Sequence, residues 1–217
     1  MSPDQEPSSQ DAGHLNSLLA AAGLKPISEA TAWKFSAYLA LIQRWNTRMN
    51  LTAIRDAEGI LKRHFVESIA CAQFLPREIG SLLDFGSGAG FPGIPIALFR
   101  PEIVVTLAES QAKKAAFLQE AVRTLGLNSR VFSRRAEDMD QLFDCITLRA
   151  VDRMDRAVIA ASNMVRIGGW LAVLTTIQEL PKVQSVAGGD LQWLDPRPLH
   201  GSEQRVLGIA SKGVSAR

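Results

Sequence analysis

Apolar residues recur with two different periods along this chain, and the period changes near residue 80. After Ser28, a helix N-cap by residue type, Phe35, Leu39, Ile42, Trp45 and Met49 follow at three- or four-residue spacing, one stripe of an amphipathic helix. The same spacing predicts core packing for Trp33 and Trp45 and leaves Arg44 and Arg48 one turn apart on the opposite face. A further helix opens at Asp56, runs through AEGILKRHFVESIACAQFL and stops at Pro76, whose ring and missing N–H cannot continue it. With an earlier segment, these form a three-helix head over residues 13–78. Residues 1–12, rich in Ser, Pro, Gln and Asp, read as a disordered tail, and PREIG reads as the linker.

Beyond the linker, over residues 79–217, short apolar runs alternate with helix-length segments. SLLDF, IVVTLAE, RVFS, FDCITL and WLAVLTT, spaced by helices, predict an α/β fold with a mostly parallel sheet covered on both faces. LQWLDPRPL and QRVLGIAS flank a short HGSE segment, too close for a crossover helix, and predict an antiparallel pair closing the sheet.

Composition changes this picture little: 47% apolar and 21% charged residues describe an ordinary folded chain. No apolar run approaches the roughly 18 residues that span a bilayer, and the polar, acidic N-terminus predicts neither signal peptide nor membrane anchor. Cys71 and Cys145 sit in apolar surroundings without a CxxC or a histidine cluster, so no metal site or disulfide is expected, and a reducing cytoplasm is the expected compartment. A net charge of +2 means that any nucleic-acid surface must be local.

The chemistry centres on LLDFGSGAGFPGIPIAL, which carries two overlapping fingerprints. Gly86, Gly88 and Gly90 form a GxGxG, while Gly88, Gly90 and Gly93 form a GxGxxG. A glycine turn between a strand and a helix is the place where backbone amides approach a nucleotide-type ligand. Glu109, at the end of the second strand, is placed to accept hydrogen bonds from ribose hydroxyls, which both nucleotide classes require. Asp84, two residues before Gly86, would oppose a pyrophosphate and suits the cationic methionyl end of a sulfonium donor. After the third strand, Ala136, Glu137 and Asp138 could read an adenine edge, or serve only as an acidic helix start. Together these favour an adenosyl sulfonium over a dinucleotide. GxxxxGK[ST], GxSxG and HExxH are all absent from the sequence.

Taken in order, WNTRMNLTAI (Trp45 to Ile54), RHFVESIA (Arg63 to Ala70), DFGSGAGFPGIPIAL, ESQAKKAAFLQEAVRTLGL (Glu109 to Leu127), RAE (Arg135 to Glu137) and FDCITLRAV (Phe143 to Val151) resemble the ribosomal RNA small-subunit methyltransferase G family, also called glucose-inhibited division protein B. The resemblance implies a class I, Rossmann-like methyltransferase fold with an N-terminal helical extension. It also implies S-adenosylmethionine as methyl donor and N7 of a guanine in 16S ribosomal RNA as acceptor. By motif it carries Gly86, Phe91, Ala136, Glu137 and Arg149 into the donor site, to which residue chemistry adds Asp84, Gly88, Gly90 and Glu109. Three features depart from the family pattern: Leu148 where a small residue is common, Thr175 and Thr176 where Lys-Gly is usual, and a short segment over 178–190.

Guanine N7 carries a lone pair and no proton, so its methylation needs alignment rather than a general base. Exocyclic amine methylation is disfavoured because LRAVD stands where an Asn/Asp-Pro-Pro-aromatic element would. Cys145, inside a strand without a basic neighbour, reads as core and not as a nucleophile. Arg149, at a strand's carboxyl end, is the expected catalytic-site residue; its alternative is an ion pair with Asp144 or Asp152. Expected RNA contacts are Arg44, Arg48, Arg55, Lys62, Arg63 and His64 on the head, continued by Arg134, Arg135, Arg153 and Arg156 along the sheet mouth. The expected partner is 16S ribosomal RNA or a small-subunit precursor particle, engaged by a monomer. Two rival readings stand beside this one, an NAD-dependent oxidoreductase using the GxGxxG and a catalytically silent RNA-binding protein.

Overall fold

The change of period near residue 80 becomes, in the computed structural model, a change from packed helices to a sheet; residues 9–213 are described. The head comprises α1 (Ser9–Ala21), α2 (Glu29–Asn46) and a third helical stretch that starts as α3 (Ala57–Ile60) and ends as α4 (Glu67–Phe74). Between α3 and α4 the helix widens into a π-helical segment, Leu61–Val66, which the periodicity did not signal. Ser28 caps α2, its hydroxyl accepting from the Thr31 amide at 3.2 Å, and Asp56 caps α3, accepting from the Gly59 amide at 2.6 Å. Helix α1 already begins at Ser9, so residues 9–12 are helical rather than tail. Helical bonding extends backward from turns anchored by the buried Leu15 and Leu19. The rest of the expected tail, residues 1–8, lies outside the described residues.

Phe35, Leu39 and Ile42 are buried, as the stripe predicts. Trp33 is 36% exposed and not core. It lies two residues before Phe35, about 200° away around the helix, and so on another face. Trp45 is half-buried, edge-on to Phe117 at 5.6 Å, with its indole N–H donating to Glu120.

The remaining chain forms β1 (Ser81–Phe85), α5 (Gly93–Phe99), β2 (Val104–Ala108), α6 (Ala112–Leu125), β3 (Ser129–Phe132), β4 (Phe143–Arg149), α7 (Met154–Met164), β5 (Val165–Thr176), α8 (Leu180–Val186), β6 (Leu191–Trp193), β7 (Arg197–Pro198) and β8 (Arg205–Lys212). The sheet order is β3-β2-β1-β4-β5-β8-β6, with β7 also pairing β8. Strands β1 to β5 run parallel, while β8 is antiparallel to β5, β6 and β7. The expected C-terminal pair is therefore present, with β8 as its inner member. β1, fully apolar apart from Ser81 and Asp84, lies inside the sheet between β2 and β4 and is buried, as a strand covered on both faces requires.

One sheet face packs against the head, α5 and α6 in a single apolar cluster that joins Phe35, Tyr38 and Phe65 to Leu82, Val105 and Phe117. The other face is covered by α7 and α8. At the end of the head, the largely buried Arg100 donates to the carbonyls of Pro76 (2.8 Å) and Arg77 (2.9 Å), fixing the PREIG segment against the sheet domain. Cys71 and Cys145 are both buried free thiols, and burial pushes both well above the usual thiol range.

Candidate active site

The site grows out of the carboxyl end of β1. Gly86 turns the chain with φ +74°, and a Cβ there would lie 3.2 Å from Val151. The Ser87 amide then bonds Ala108 O (2.9 Å), and the Gly88 amide donates to Glu109 Oε2 (2.9 Å). The other Glu109 oxygen accepts from the Gln111 amide at 2.7 Å. One strand-end carboxylate thus fixes both the glycine loop and the start of the β2–α6 connection.

The far side of the loop is held by the head. Tyr38, fully buried on α2, donates its hydroxyl to Ala89 O at 2.5 Å, and its ring lies parallel to Phe65 at 5.4 Å. Burial pushes the phenol well above its ordinary value, so it remains a donor. Gly90, with φ +89°, leaves room for this contact, since a Cβ would sit 2.7 Å from the Tyr38 oxygen and 2.5 Å from Ile94 Cδ1.

A cleft of two adjoining lobes opens over the loop. The first, about 400 Å³, is lined by Phe85, Glu109, Ala136, Glu137 and Arg156 among others. The second, about 370 Å³, is lined by Thr52, His64, Gly88, Phe91, Lys114 and Arg149 among others. Gly86, Glu109, Val151 and Asp152 border both. Ala136 and Glu137 sit on a one-turn 3-10 helix after β3. The β4–α7 connection roofs the junction and holds two non-glycine residues in the left-handed region, Ala150 (φ 49°) and Arg153 (φ 51°). Such strain persists only where surrounding contacts enforce it, and it gathers at functional sites.

Asp84 is corrected by the structure. It does not reach either lobe: it is 1% exposed, and its oxygens accept from Thr147 Oγ1 (2.9 Å) and the Gly93 amide (3.2 Å). Burial raises its carboxyl to about 6 against these hydrogen bonds. The loop curls over the carboxylate and uses it as an internal brace, where the sequence reading had it meeting a ligand cation. Gly90 and Gly93 likewise pack rather than line the cleft; a Cβ on Gly93 would come within 2.4 Å of Leu107. That removes the third glycine from any GxGxxG contact with a ligand.

Arg149 does not pair with Asp144 or Asp152. Its Nη2 donates to Arg63 O (2.6 Å) and to Glu67 Oε2 (3.0 Å), and Asp144 is paired with Arg166 at 2.8 Å. Glu67 is fully buried and also binds Arg205, with Arg63 Nε 3.7 Å from its other oxygen. Burial raises the Glu67 carboxyl while Arg149, Arg205 and Arg63 pull it back. Arg149, its side chain 8% exposed, is lowered to about 10, by burial first and against the attraction of Glu67. Its Nη1 is buried beside the second lobe with no partner among the described residues. An orphaned guanidinium nitrogen of this kind calls for an anionic or carbonyl oxygen.

His64 stacks on Phe91 at 4.5 Å and exchanges a 2.8 Å hydrogen bond with Thr52 Oγ1. Burial, then the nearby Arg149, Arg205 and Arg63, lower its pKa to about 3, so the imidazole is neutral at physiological pH. Arg149 stands over the same Phe91 ring at 5.9 Å.

The expected RNA contacts separate into groups. Arg63 and His64 reach the neighbourhood of the second lobe, whereas Arg135 borders the first. Arg44 is tied to Glu120 of α6, and Arg55 donates to Asn50 Oδ1 (2.8 Å); neither they nor Arg48 line the cleft. Sequence reasoning missed Tyr38, Glu67 and Arg205. Tyr38 and Glu67 lie within helices whose periodicity explains them as packing, and Arg205 stands 138 positions from Glu67. Among the described residues no cluster of three or more potential metal ligands occurs, and no helix is long and apolar enough to cross a membrane.

The rRNA small subunit methyltransferase G family model matches residues 31–185. A ribosomal RNA small subunit methyltransferase G from Stenotrophomonas maltophilia is 43% identical over 155 residues, covering 70% of this chain and 72% of the relative. Its counterpart from Xanthomonas euvesicatoria is 38% identical over 181 residues, covering 81% and 84%. Among solved structures, a ribosomal protein L11 methylase from Lactobacillus delbrueckii aligns with a TM-score of 0.59 at 13% identity, over 73% of this chain and 80% of that one. A predicted O-methyltransferase from Agrobacterium tumefaciens aligns at 0.56 and 20% identity, over 71% and 83%. These structural likenesses show the fold, that of class I methyltransferases.

Proposed function

The chain belongs to the rRNA small subunit methyltransferase G family, and from that premise we propose that it transfers a methyl group from S-adenosylmethionine to N7 of a guanine in 16S ribosomal RNA. The observation that carries the assignment of roles is the two-lobed cleft, with a strand-end carboxylate where its lobes meet and an orphaned, buried guanidinium nitrogen beside the second. When bound, the donor supplies an electrophilic methyl on a sulfonium. These residues fit such a molecule: Glu109 borders both lobes, and Gly88, which lines the second, has no side chain and would meet nothing nearer than Gly86 O at 4.0 Å with a Cβ, so a ligand can approach its backbone closely.

In the first lobe Glu109 accepts from ribose hydroxyls, while Ala136 and Glu137 meet the adenine edge. Arg149 Nη1 holds the anionic end of a ligand in the second lobe, its fork oriented by Glu67. His64, stacked on the buried Phe91 ring, makes an aromatic wall of the second lobe against which a planar base can be aligned. Positive charge that develops on the purine is met by ring faces, and the neutral imidazole adds no opposing cation. No proton leaves N7, so none of these groups must act as a base.

The substrate is free small-subunit RNA or a precursor particle met in the cytoplasm, and a monomer suffices because both lobes come from one chain. The test uses donor carrying a labelled methyl group, with RNA and small-subunit particles from cells lacking the gene. Label recovered as 7-methylguanosine in 16S RNA is expected. Label at another atom, or none with either substrate, overturns the assignment.

A further inference from the structure

Three guanidiniums surround one carboxylate at the edge of the second lobe. Arg149 and Arg205 share Glu67 Oε2, and Arg63 Nε lies 3.7 Å from Oε1, which has no hydrogen-bond partner among the described residues. Glu67 is 0% exposed, and the three guanidiniums exceed by two the one carboxylate they contact. A purely structural ion pair needs one arginine per carboxylate, and each added guanidinium repels its neighbours in a region of low dielectric. Such an excess is stable when a further anion completes it.

The arginines are not equivalent. Arg149 is almost wholly buried and lines the second lobe, whereas Arg205 is 18% and Arg63 47% exposed, and neither lines a lobe. They stand just outside the ligand cleft. Arg205 opens β8 opposite Thr176, the last residue of β5, and is therefore at the edge of the sheet where the parallel strands end and the cleft lies. Arg63 comes from the π-helical segment of the head, which also brings His64 against Phe91. A strand delivering a base to the His64–Phe91 wall must lay its backbone beside that base. The two partly exposed guanidiniums are what such a backbone meets.

We infer that Arg63 and Arg205, oriented by Glu67, form a phosphate seat for the RNA backbone next to the target nucleotide. This rests on the RNA-methylating reading above. It assigns specificity for a nucleic-acid strand to a junction of head and β8, separate from the donor-contacting Arg149. Glu67 is a positioning residue in this arrangement, since it touches the arginines and not the phosphate. The planar forks of Arg63 and Arg205 match a phosphodiester's paired oxygens.

The test is the salt dependence of binding to small-subunit RNA from cells lacking the gene, measured for wild type, Arg205→Gln, Arg205→Lys and Arg63→Gln. Arg205→Gln is expected to bind roughly tenfold more weakly at low salt, with the log–log salt slope reduced by about one, because one phosphate contact is gone. Arg205→Lys keeps the slope, and Arg63→Gln, at an exposed position, repeats the loss without endangering the fold. Donor affinity by calorimetry stays within about twofold of wild type for all three variants. Unchanged slopes in Arg205→Gln and Arg63→Gln overturn the seat, as does an equal loss of donor affinity, which would put the pair in the donor site. Absence of methyl transfer by wild type counts against the reaction instead, and leaves the binding slopes to decide the seat on their own.

Discussion

The two lobes of the cleft are built on different plans. The first is assembled from the ends of neighbouring parallel strands: Phe85 closes β1, Glu109 follows β2, and Ala136 and Glu137 follow β3. Apart from the buried Glu109, its polar groups are at the surface, and removing one of those leaves the packing in place. The second is lined by the head and β4, and its buried Arg149 is held from behind by Glu67, 82 positions away, which in turn binds Arg205 of β8, 138 positions from it. A strand-end lobe can vary residue by residue, whereas in the second Arg149 and its buried counter-ion Glu67 depend on each other.

Substitutions can break this contrast, starting with Glu67→Ala. It strips the counter-ion from Arg149 and Arg205, and about 3–5 kcal/mol of stability should be lost in urea unfolding. A loss below about 1 kcal/mol would mean that the second lobe is no more cooperative than the first.

His64→Gln comes next and acts through pH. The folded state holds His64 at about 3 against an ordinary 6.5, so the unfolded chain binds the proton more readily. Wild-type stability therefore falls relative to the variant as pH drops below 6.5 and continues to fall toward 3, by about 2 kcal/mol at pH 5. Parallel stability profiles for the two proteins across that window would refute a buried neutral imidazole.

Tyr38→Phe leaves the Ala89 carbonyl without its donor while keeping the ring stack. About 1–2 kcal/mol of stability should go, with a several-fold rise in the donor dissociation constant. Donor binding that is unmoved would confine Tyr38 to packing.

The smallest effect belongs to the first lobe. Glu137, exposed on its 3-10 turn, becomes Gln at a cost within about 0.5 kcal/mol of stability, and donor affinity falls a few-fold. A large change in melting temperature here would erase the difference between the lobes.

The same contrast explains what the sequence made legible. Alternating strands and helices, the Ser28 and Asp56 caps and the glycine loop are local signals, and so is a carboxylate one residue past a strand. Each follows from a period or a spacing within one segment, which is why the first lobe could be read. Asp84 was misplaced because sequence shows which residue precedes a loop but not whether the loop will fold over it. Arg149 was found at its strand end, yet its partner Glu67 could not be, since a helix pattern treats residue 67 as one more turn. The π-helical widening before it leaves no mark in apolar spacing.

The Tyr38–Ala89 contact has a practical corollary. Tyr38 is the chain's single tyrosine, so growth on a fluorinated tyrosine introduces one fluorine atom and one resonance. That resonance arises beside the carbonyl of the glycine loop, and a shift or broadening on adding nucleoside or RNA would report what the loop does. The protein thus carries an intrinsic spectroscopic reporter at the place where head and sheet meet.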